Sequence, residues 1–440
     1  MMCPRNRQVW SVSTPRTWCP ADPAQNEKTG QMTDVVVSPD PRKPYLGSAL
    51  ALTTASQVAA TSSVLALTTI PTLVAATLGV APHAIGFQVS LIYASGVVFS
   101  MIASTMVKRW GAGRVGQLAL LGAGIGFIGL ATGTALGIAC ASILIGVGYA
   151  LNNPSSSHVL ARLAPPGRRN LIFSVKQAGV PLGGMLAALA VPPLAGAFGW
   201  QKAMLIFAVA PLALALLYET VRPSWDGDRT PAVRIGGGMW SRQRVVLADP
   251  DLRALAILGF LYSGVQLSIS TFTVAMLIEQ FGWNPLGAAA VAAAVQAAGA
   301  VGRVAWGLVA DRIGDGFAVL GLIGLVTGAA ALAFSALGTS PMLGVAMIVL
   351  SGFTGNGWNG VMLAETAKAS PRGGTLTGEV LTYTFIGVMV GPAAFSLAYG
   401  LMGSFTATFR LFAILAFLGV ALAFWRSLRT RIDGAPARHG

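Results

Sequence analysis

Apolar residues run through this chain in long stretches that Lys, Arg, Asp and Glu leave untouched. None of the four occurs in Pro44–Val107, in Val115–Ala161 or in Gly316–Ala364. Asn170–Val221 holds only Lys176, Lys202 and Glu219; Ala254–Ala310 holds only Glu279 and Arg303; Val380–Trp425 holds only Arg410. A membrane-crossing helix needs about 20 mostly apolar residues. Each of these six blocks, 46 to 64 residues long, accommodates two spans and a short turn, so the pattern predicts twelve spans. A membrane barrel would instead alternate apolar and polar positions over ~10-residue segments. The opening run, Leu46–Val80, is longer than one span needs, and Pro71 is expected to end or kink it.

The polar islands between blocks are rich in Lys and Arg: Lys108, Arg109 and Arg114; Arg162, Arg168 and Arg169; residues 222–253; Arg312; Lys368 and Arg372; residues 426–438. If every block is an out-and-back hairpin, all islands lie on one side. Basic loops stay in the cytoplasm, which predicts a multi-pass inner (plasma) membrane protein with both termini cytoplasmic. The longest central island divides the spans six and six. The expected layout is a disordered cytoplasmic tail over 1–45, a first six-helix bundle over 46–221, and a cytoplasmic linker over 222–250. A second bundle follows over 251–426, then a cytoplasmic tail over 427–440. Residues 1–45 are polar and Pro-rich and lack the apolar core of a signal peptide; Met32 is a second candidate start.

Composition agrees with a membrane reading. Charged residues make up 10% of the chain, against roughly 25% in soluble domains. A net charge of +14 would suit nucleic acid, but the bases sit in loops between apolar blocks and do not form one continuous patch. The three cysteines show neither metal nor disulfide spacing. No His-Glu-x-x-His, nucleophile elbow or phosphate-binding loop occurs, so neither an enzyme nor an ATP-driven pump is indicated. No cofactor or metal is expected. The partners implied are a small-molecule solute and the lipid bilayer, with the chain acting as a monomer.

The two halves repeat. Tyr93–Gly111 aligns with Gln296–Gly314 at a constant offset of 203, placing Gly96 on Gly299, Arg109 on Arg312 and Gly111 on Gly314. Such internal repeats are common in transporters. The stretch Gly307-Leu-Val-Ala-Asp311-Arg312-Ile-Gly314 resembles the signature loop of the major facilitator superfamily, with Lys108-Arg109-Trp-Gly111 as its degenerate twin. The resemblance covers about residues 46–426. It implies an all-α membrane fold of twelve helices in two pseudo-symmetric six-helix bundles, working by alternating access. In the first half Lys108 stands where the motif has Asp. The physical reading of the motif is a latch: Gly307 allows close packing, and Asp311 accepts from helix amides or a facing arginine. The gating candidates are therefore Asp311, Arg312, Gly307, Gly314 and Arg109, with Glu365 and Glu379 as the acidic groups near the same side.

An ionisable residue inside a span is a functional candidate, and two stand out. Arg303 lies eight residues before Asp311, about 12 Å up a helix, where a guanidinium can take a carboxylate or oxyanion through two parallel bonds or serve in a structural or gating pair. Its position resembles that of the span-8 arginine in nitrate/nitrite and monocarboxylate or oxalate carriers. Ser100 aligns where a second arginine would stand in a nitrate carrier. Lys176 lies early in span 5, where it can meet solute, snorkel, or pair with Glu365 or Glu379. The following Gly179-Val-Pro181-Leu-Gly183-Gly184 resembles the glycine/proline motif of superfamily antiporters. Gln57 in span 1, Tyr262 and Gln266 in span 7 and Asn359 in span 10 complete the substrate-binding candidates. Two cations without an acidic partner at mid-span favour a small organic anion. A multidrug or metabolite exporter, which would favour a buried carboxylate, is the alternative, and a transport-like sensor is a further one.

Overall fold

The computed structural model describes residues 45–165, 169–235, 239–370 and 376–433. Residues 1–44 of the tail expected over 1–45, and the last residues, 434–440, lie outside them. Every regular element among the described residues is helical.

The helices of the first half are α1 (Leu46–Leu65), α2 (Pro71–Leu78), α3 (Ile85–Trp110), α4 (Ala112–Leu130), α5 (Ala135–Leu163), α6 (Arg169–Phe198) and α7 (Trp200–Trp225). A short α8 (Met239–Ala248) leads to α9 (Pro250–Glu279), α10 (Pro285–Ile313), α11 (Gly316–Leu332), α12 (Pro341–Gly355), α13 (Trp358–Ala369), α14 (Thr377–Met402) and α15 (Phe405–Asp433). Among the described residues, ten uninterrupted helical segments are long and apolar enough to cross a membrane. The other two expected spans fall on interrupted helices. Span 1 is α1 followed by a 3-10 turn at Leu67–Thr69 and then α2, which begins at Pro71. Span 10 is α12 and α13, broken at Asn356 and Gly357.

Local chemistry sets the helix ends. Asp249, Asn284 and Asp315 cap α9, α10 and α11 by accepting from amides one turn on, at 2.7–2.9 Å. Pro250 and Pro285 occupy first-turn positions, where the missing N–H costs nothing. Gly314 ends α10 at φ 73°, a left-handed conformation that disfavours a side chain. Large apolar side chains such as Leu136, Leu216 and Leu401 lie 75–90% exposed. In water such a surface would aggregate; in a bilayer it meets acyl chains.

Without a hydrophobic drive between helices in lipid, close packing holds them together. The two halves repeat the same contacts. A Cβ at Gly146 of α5 would overlap the Ile92 carbonyl of α3, and one at Gly302 of α10 would overlap the Phe353 carbonyl of α12. Gly183 of α6 lies against the Val58 carbonyl of α1, as Gly387 of α14 lies against the Phe260 carbonyl of α9.

The joins between the two sets of helices concentrate from mid-depth to the end opposite the basic loops. There the Ala393 amide donates to Ser90 Oγ (3.0 Å), Ser396 Oγ donates to the His83 carbonyl (2.7 Å), and the His83 ring lies 4.6 Å from that of Tyr399. Between α1, α6, α9 and α10, a gap of only about 10 Å³ remains beside Thr68, Thr273 and Gln296. The two halves touch at that end.

The segment after α7 lies across the basic end of the first half. Asp226, buried, accepts from the Gly113 amide (2.6 Å) at the start of α4. It supplies the carboxylate that Lys108 denies to the loop before α4. Burial pushes its carboxyl up, against the pull of the Gly113 and Arg114 amides and the neighbouring arginines. Asp228 meets His158 Nε2 (2.7 Å) and Arg162 Nη1 (2.9 Å) of α5. Burial alone would raise the Asp228 carboxyl, but these two partners outweigh it and hold it below its ordinary value. The Thr230 amide donates to the Lys108 carbonyl (2.6 Å), and Arg109 Nη1 donates to that of Val233 (3.4 Å). On the other side α8 buries Val246 and reaches Thr382 and the Glu379 carbonyl of α14 through Gln243 (3.4 Å).

Candidate functional site

Lys176 enters the membrane on α6, seven residues after the helix begins, or ~10 Å at 1.5 Å per residue. Arg303 stands on α10, ten residues before its end at Ile313, or ~15 Å from the same basic end. The two helices run against each other, and the cations come within electrostatic reach of one another. Lys176 is 1% exposed, and Arg303 is half-buried.

Their partners are neutral. Lys176 Nζ donates to Asn153 Oδ1 of α5 and to Gln177 Oε1 (3.3 Å). Arg303 Nε donates to the Asn356 carbonyl (3.2 Å), and its Nη1 crosses to the Gln177 carbonyl of α6 (3.3 Å). Among the described residues, neither cation forms an ion pair. Tyr149 of α5 lies within electrostatic reach of Arg303. The Tyr93 and Tyr149 rings meet edge-on at 5.6 Å.

Two amide clasps flank the cations, one in each half. In the first, Asn152 Nδ2 donates to Gln57 Oε1 (2.9 Å), while Ser56 Oγ donates to Asn152 Oδ1 (2.5 Å). In the second, Gln266 Nε2 donates to Asn356 Oδ1 (2.7 Å), while Trp358 Nε1 donates to Gln266 Oε1 (2.9 Å). Each joins the first helix of its half to the middle of the fourth expected span. The break at Asn356 and Gly357 matters here, because ending α12 frees the Asn356 carbonyl for Arg303.

Several sequence expectations are corrected. Tyr262 does not face the cations: its hydroxyl donates to the Leu320 carbonyl (3.0 Å) and its ring fills the space at Gly324 and Gly419. It packs α9 against α11 and α15. Asn359 makes no side-chain hydrogen bond among the described residues; Asn356, one turn earlier, takes the role expected of it. Gly307 does not serve close packing, since a Cβ there would meet open space. Lys176 is bonded to amides and pairs with neither Glu365 nor Glu379. Glu365 instead accepts from Lys368 (2.7 Å). Asp311 and Arg312 are exposed and, among the described residues, make no ion pair or side-chain hydrogen bond. Arg109 holds the segment after α7, and Gly314 terminates α10. Sequence reasoning missed Gln177, Tyr149 and Asn356. Two of these act partly through main-chain carbonyls, for which side-chain type gives no signal.

Residues 52–378 match the model of the Major Facilitator Superfamily. The chain belongs to this superfamily. Its fold and family are those of membrane transporters. Among solved structures it is similar to a bacterial homologue of the human lysosomal transporter Spinster in an inward-facing, unoccupied conformation. That match has a TM-score of 0.70 and 17% identity, over 90% of this chain and 100% of the other. It is also similar to a POT family transporter in complex with 5-aminolevulinic acid, with a TM-score of 0.71 and 14% identity over 88% and 98% of the two chains. At such identities the likeness concerns the fold. Among curated proteins it is 26% identical to the fosmidomycin resistance protein of Escherichia coli (strain K12), over 63% of this chain and 67% of that one. It is likewise 26% identical to plastidic glucose transporter 4 of Arabidopsis thaliana, over 40% of this chain and 34% of the other.

Proposed function

We propose that this superfamily member is a secondary carrier of small organic anions, with twelve spans in two six-helix bundles that rock about the Lys176–Arg303 site. The observation that carries the reading is the meeting of a buried and a half-buried cation with amides and carbonyls but, among the described residues, no carboxylate. A charge inside a membrane is costly unless it is compensated. Here the compensating charge is assigned to the solute, held by the fork of Arg303 and the ammonium of Lys176. Gln177, Tyr149 and the two clasps orient these groups. The bundle is then open toward the basic, cytoplasmic side, with both termini there, in the inner (plasma) membrane. Asp311 and Arg312 form their latch in the opposite state.

A second reading is supported by the fosmidomycin resistance relative: outward transport of a drug or metabolite through the same site. The second reading adds an outward direction and widens the range of solutes. As for a sensor, the segment after α7 is spent on hydrogen bonds to the bundle, which leaves little for an output element.

The test is uptake into liposomes by purified protein, wild type beside Arg303→Ala, against labelled monocarboxylates, dicarboxylates, cyanate and amphipathic cations. Saturable anion flux that disappears in Arg303→Ala is the expected result. Flux of cations alone, or anion flux indifferent to Arg303, would leave the exporter reading ahead.

A further inference from the structure

The anion-carrier reading leaves open what drives transport, and the same cluster bears on it. Lys176 and Arg303 differ in one chemical respect: a guanidinium keeps its proton in proteins, whereas an ammonium exchanges one. We propose that Lys176 is the proton-coupling group of this carrier, so that each anion bound beside Arg303 is accompanied by one proton on Lys176. The inference rests on the anion-carrier reading and adds the coupling ion to it.

The geometry supports this in three ways. First, the Lys176 ammonium is buried, both it and Arg303 bond to Gln177, and among the described residues no carboxylate pairs with either. A negative charge entering between them attracts a proton to Lys176, and a proton on Lys176 attracts the anion. By linkage each favours the other to the same extent. Second, both hydrogen-bond partners of Lys176 Nζ are amide oxygens, Asn153 Oδ1 and Gln177 Oε1. These amides carry no charge that would hold the lysine permanently protonated. Third, no other described group beside the site is placed to do the job. α1 and the 3-10 turn after it carry no Asp, Glu, Lys, Arg or His. From α5 the facing groups are Tyr149 and Asn153, and His158 is turned to Asp228 at the basic end. On α7 Lys202 is exposed at the far end, and Glu219 is bonded to Arg222 (2.6 Å). On α10 Arg303 faces the site, while Asp311 and Arg312 stand two turns away, exposed. The lysine also sits on α6, at the seam with the second half, where its surroundings change as the bundles rock.

The experiment uses the full chain in liposomes containing a trapped pH-sensitive dye, with radiolabelled oxalate as the probe and the membrane potential clamped at zero. One proton should enter per oxalate, and a pH gradient of one unit, acid outside, should support roughly tenfold accumulation. In Lys176→Arg, which keeps the charge but cannot release it, whatever oxalate moves or exchanges should carry no proton and show no response to the gradient. Wild-type oxalate flux without proton entry, or one proton per oxalate in Lys176→Arg, overturns the inference and leaves the anion reading intact. If neither oxalate nor any other anion moves at all, the anion reading itself falls, and the inference with it. Should Lys176→Arg not fold or not move oxalate, calorimetry of oxalate binding to wild type in two buffers of different ionisation heat counts the protons directly. Uptake that approaches one per oxalate somewhere between about pH 6 and pH 9 is expected, and none across that range overturns the proposal.

Discussion

Replacing Arg303 by Met should separate binding from stability. A residue held in an ion pair for structural reasons leaves an uncompensated charge behind when it is removed, at a cost of about 3–5 kcal/mol. Arg303 has no such partner among the described residues. It donates to two carbonyls, those of Asn356 (3.2 Å) and Gln177 (3.3 Å). Two hydrogen bonds from a charged donor contribute about 1.5–3 kcal/mol each. Against that stands the desolvation of a guanidinium inside the bundle, several kcal/mol per ion. The terms nearly cancel, so Arg303→Met should unfold within about 3 °C of wild type or above it. Anion affinity should fall by about 2–5 kcal/mol, the loss seen when one partner of a buried charge pair is truncated. That is roughly 30-fold to several thousand-fold in Kd. The assays are thermal unfolding in detergent and equilibrium binding of oxalate. A variant that melts many degrees lower while binding oxalate unchanged would refute the argument and make Arg303 a structural residue.

Two further outcomes follow from packing and capping. Gly302→Ala places a methyl against the Phe353 carbonyl and should lower stability by about 1–3 kcal/mol. Gly307→Ala, five residues along the same helix and facing open space, should be neutral or gain up to ~1 kcal/mol of helix propensity; the pair is read by unfolding temperature. Asp226→Ala should cost about 1–2 kcal/mol through the lost cap on α4, whereas Asp226→Asn keeps an acceptor for the Gly113 amide and should cost little. Because burial raises the Asp226 carboxyl in the fold, its contribution is full below the unfolded pKa and lost as pH rises through the folded one. Wild-type melting should therefore gain on Asp226→Asn as the pH falls from neutral into the acid range.

The long helices were legible because charge is so heavily excluded from a bilayer that the islands mark nearly every boundary. Lys176 and Arg303 were legible for the same reason, since each is conspicuous inside an apolar block. The interruption at Asn356 and Gly357 has a local signal, the stretch Gly355-Asn-Gly-Trp-Asn-Gly360, whose Asn-Gly pair marks a turn, but the long apolar block around it read as continuous spans. Tyr262 shows a different limit. Its spacing of four from Gln266 put both on one helix face, but the face is wide enough for Gln266 to meet Asn356 while Tyr262 turns to α11. Periodicity says which residues share a side and does not say which neighbour that side meets. The missing acid of the first-half loop, replaced by Asp226 from the far end of α7, needed tertiary structure to be found.

The segment after α7 has a mechanical consequence. Bonds from Thr230 and to Val233 moor it to the end of α3, and α8 from Met239 onward is moored to the second half through Gln243. From Val233 to Met239 the chain takes six Cα–Cα steps, a reach of at most about 20 Å. The loop is thus a short leash between the two halves. It sets a ceiling on how far they can part at the basic end, and solutes too large for the aperture that the leash permits would be refused before they met either cation.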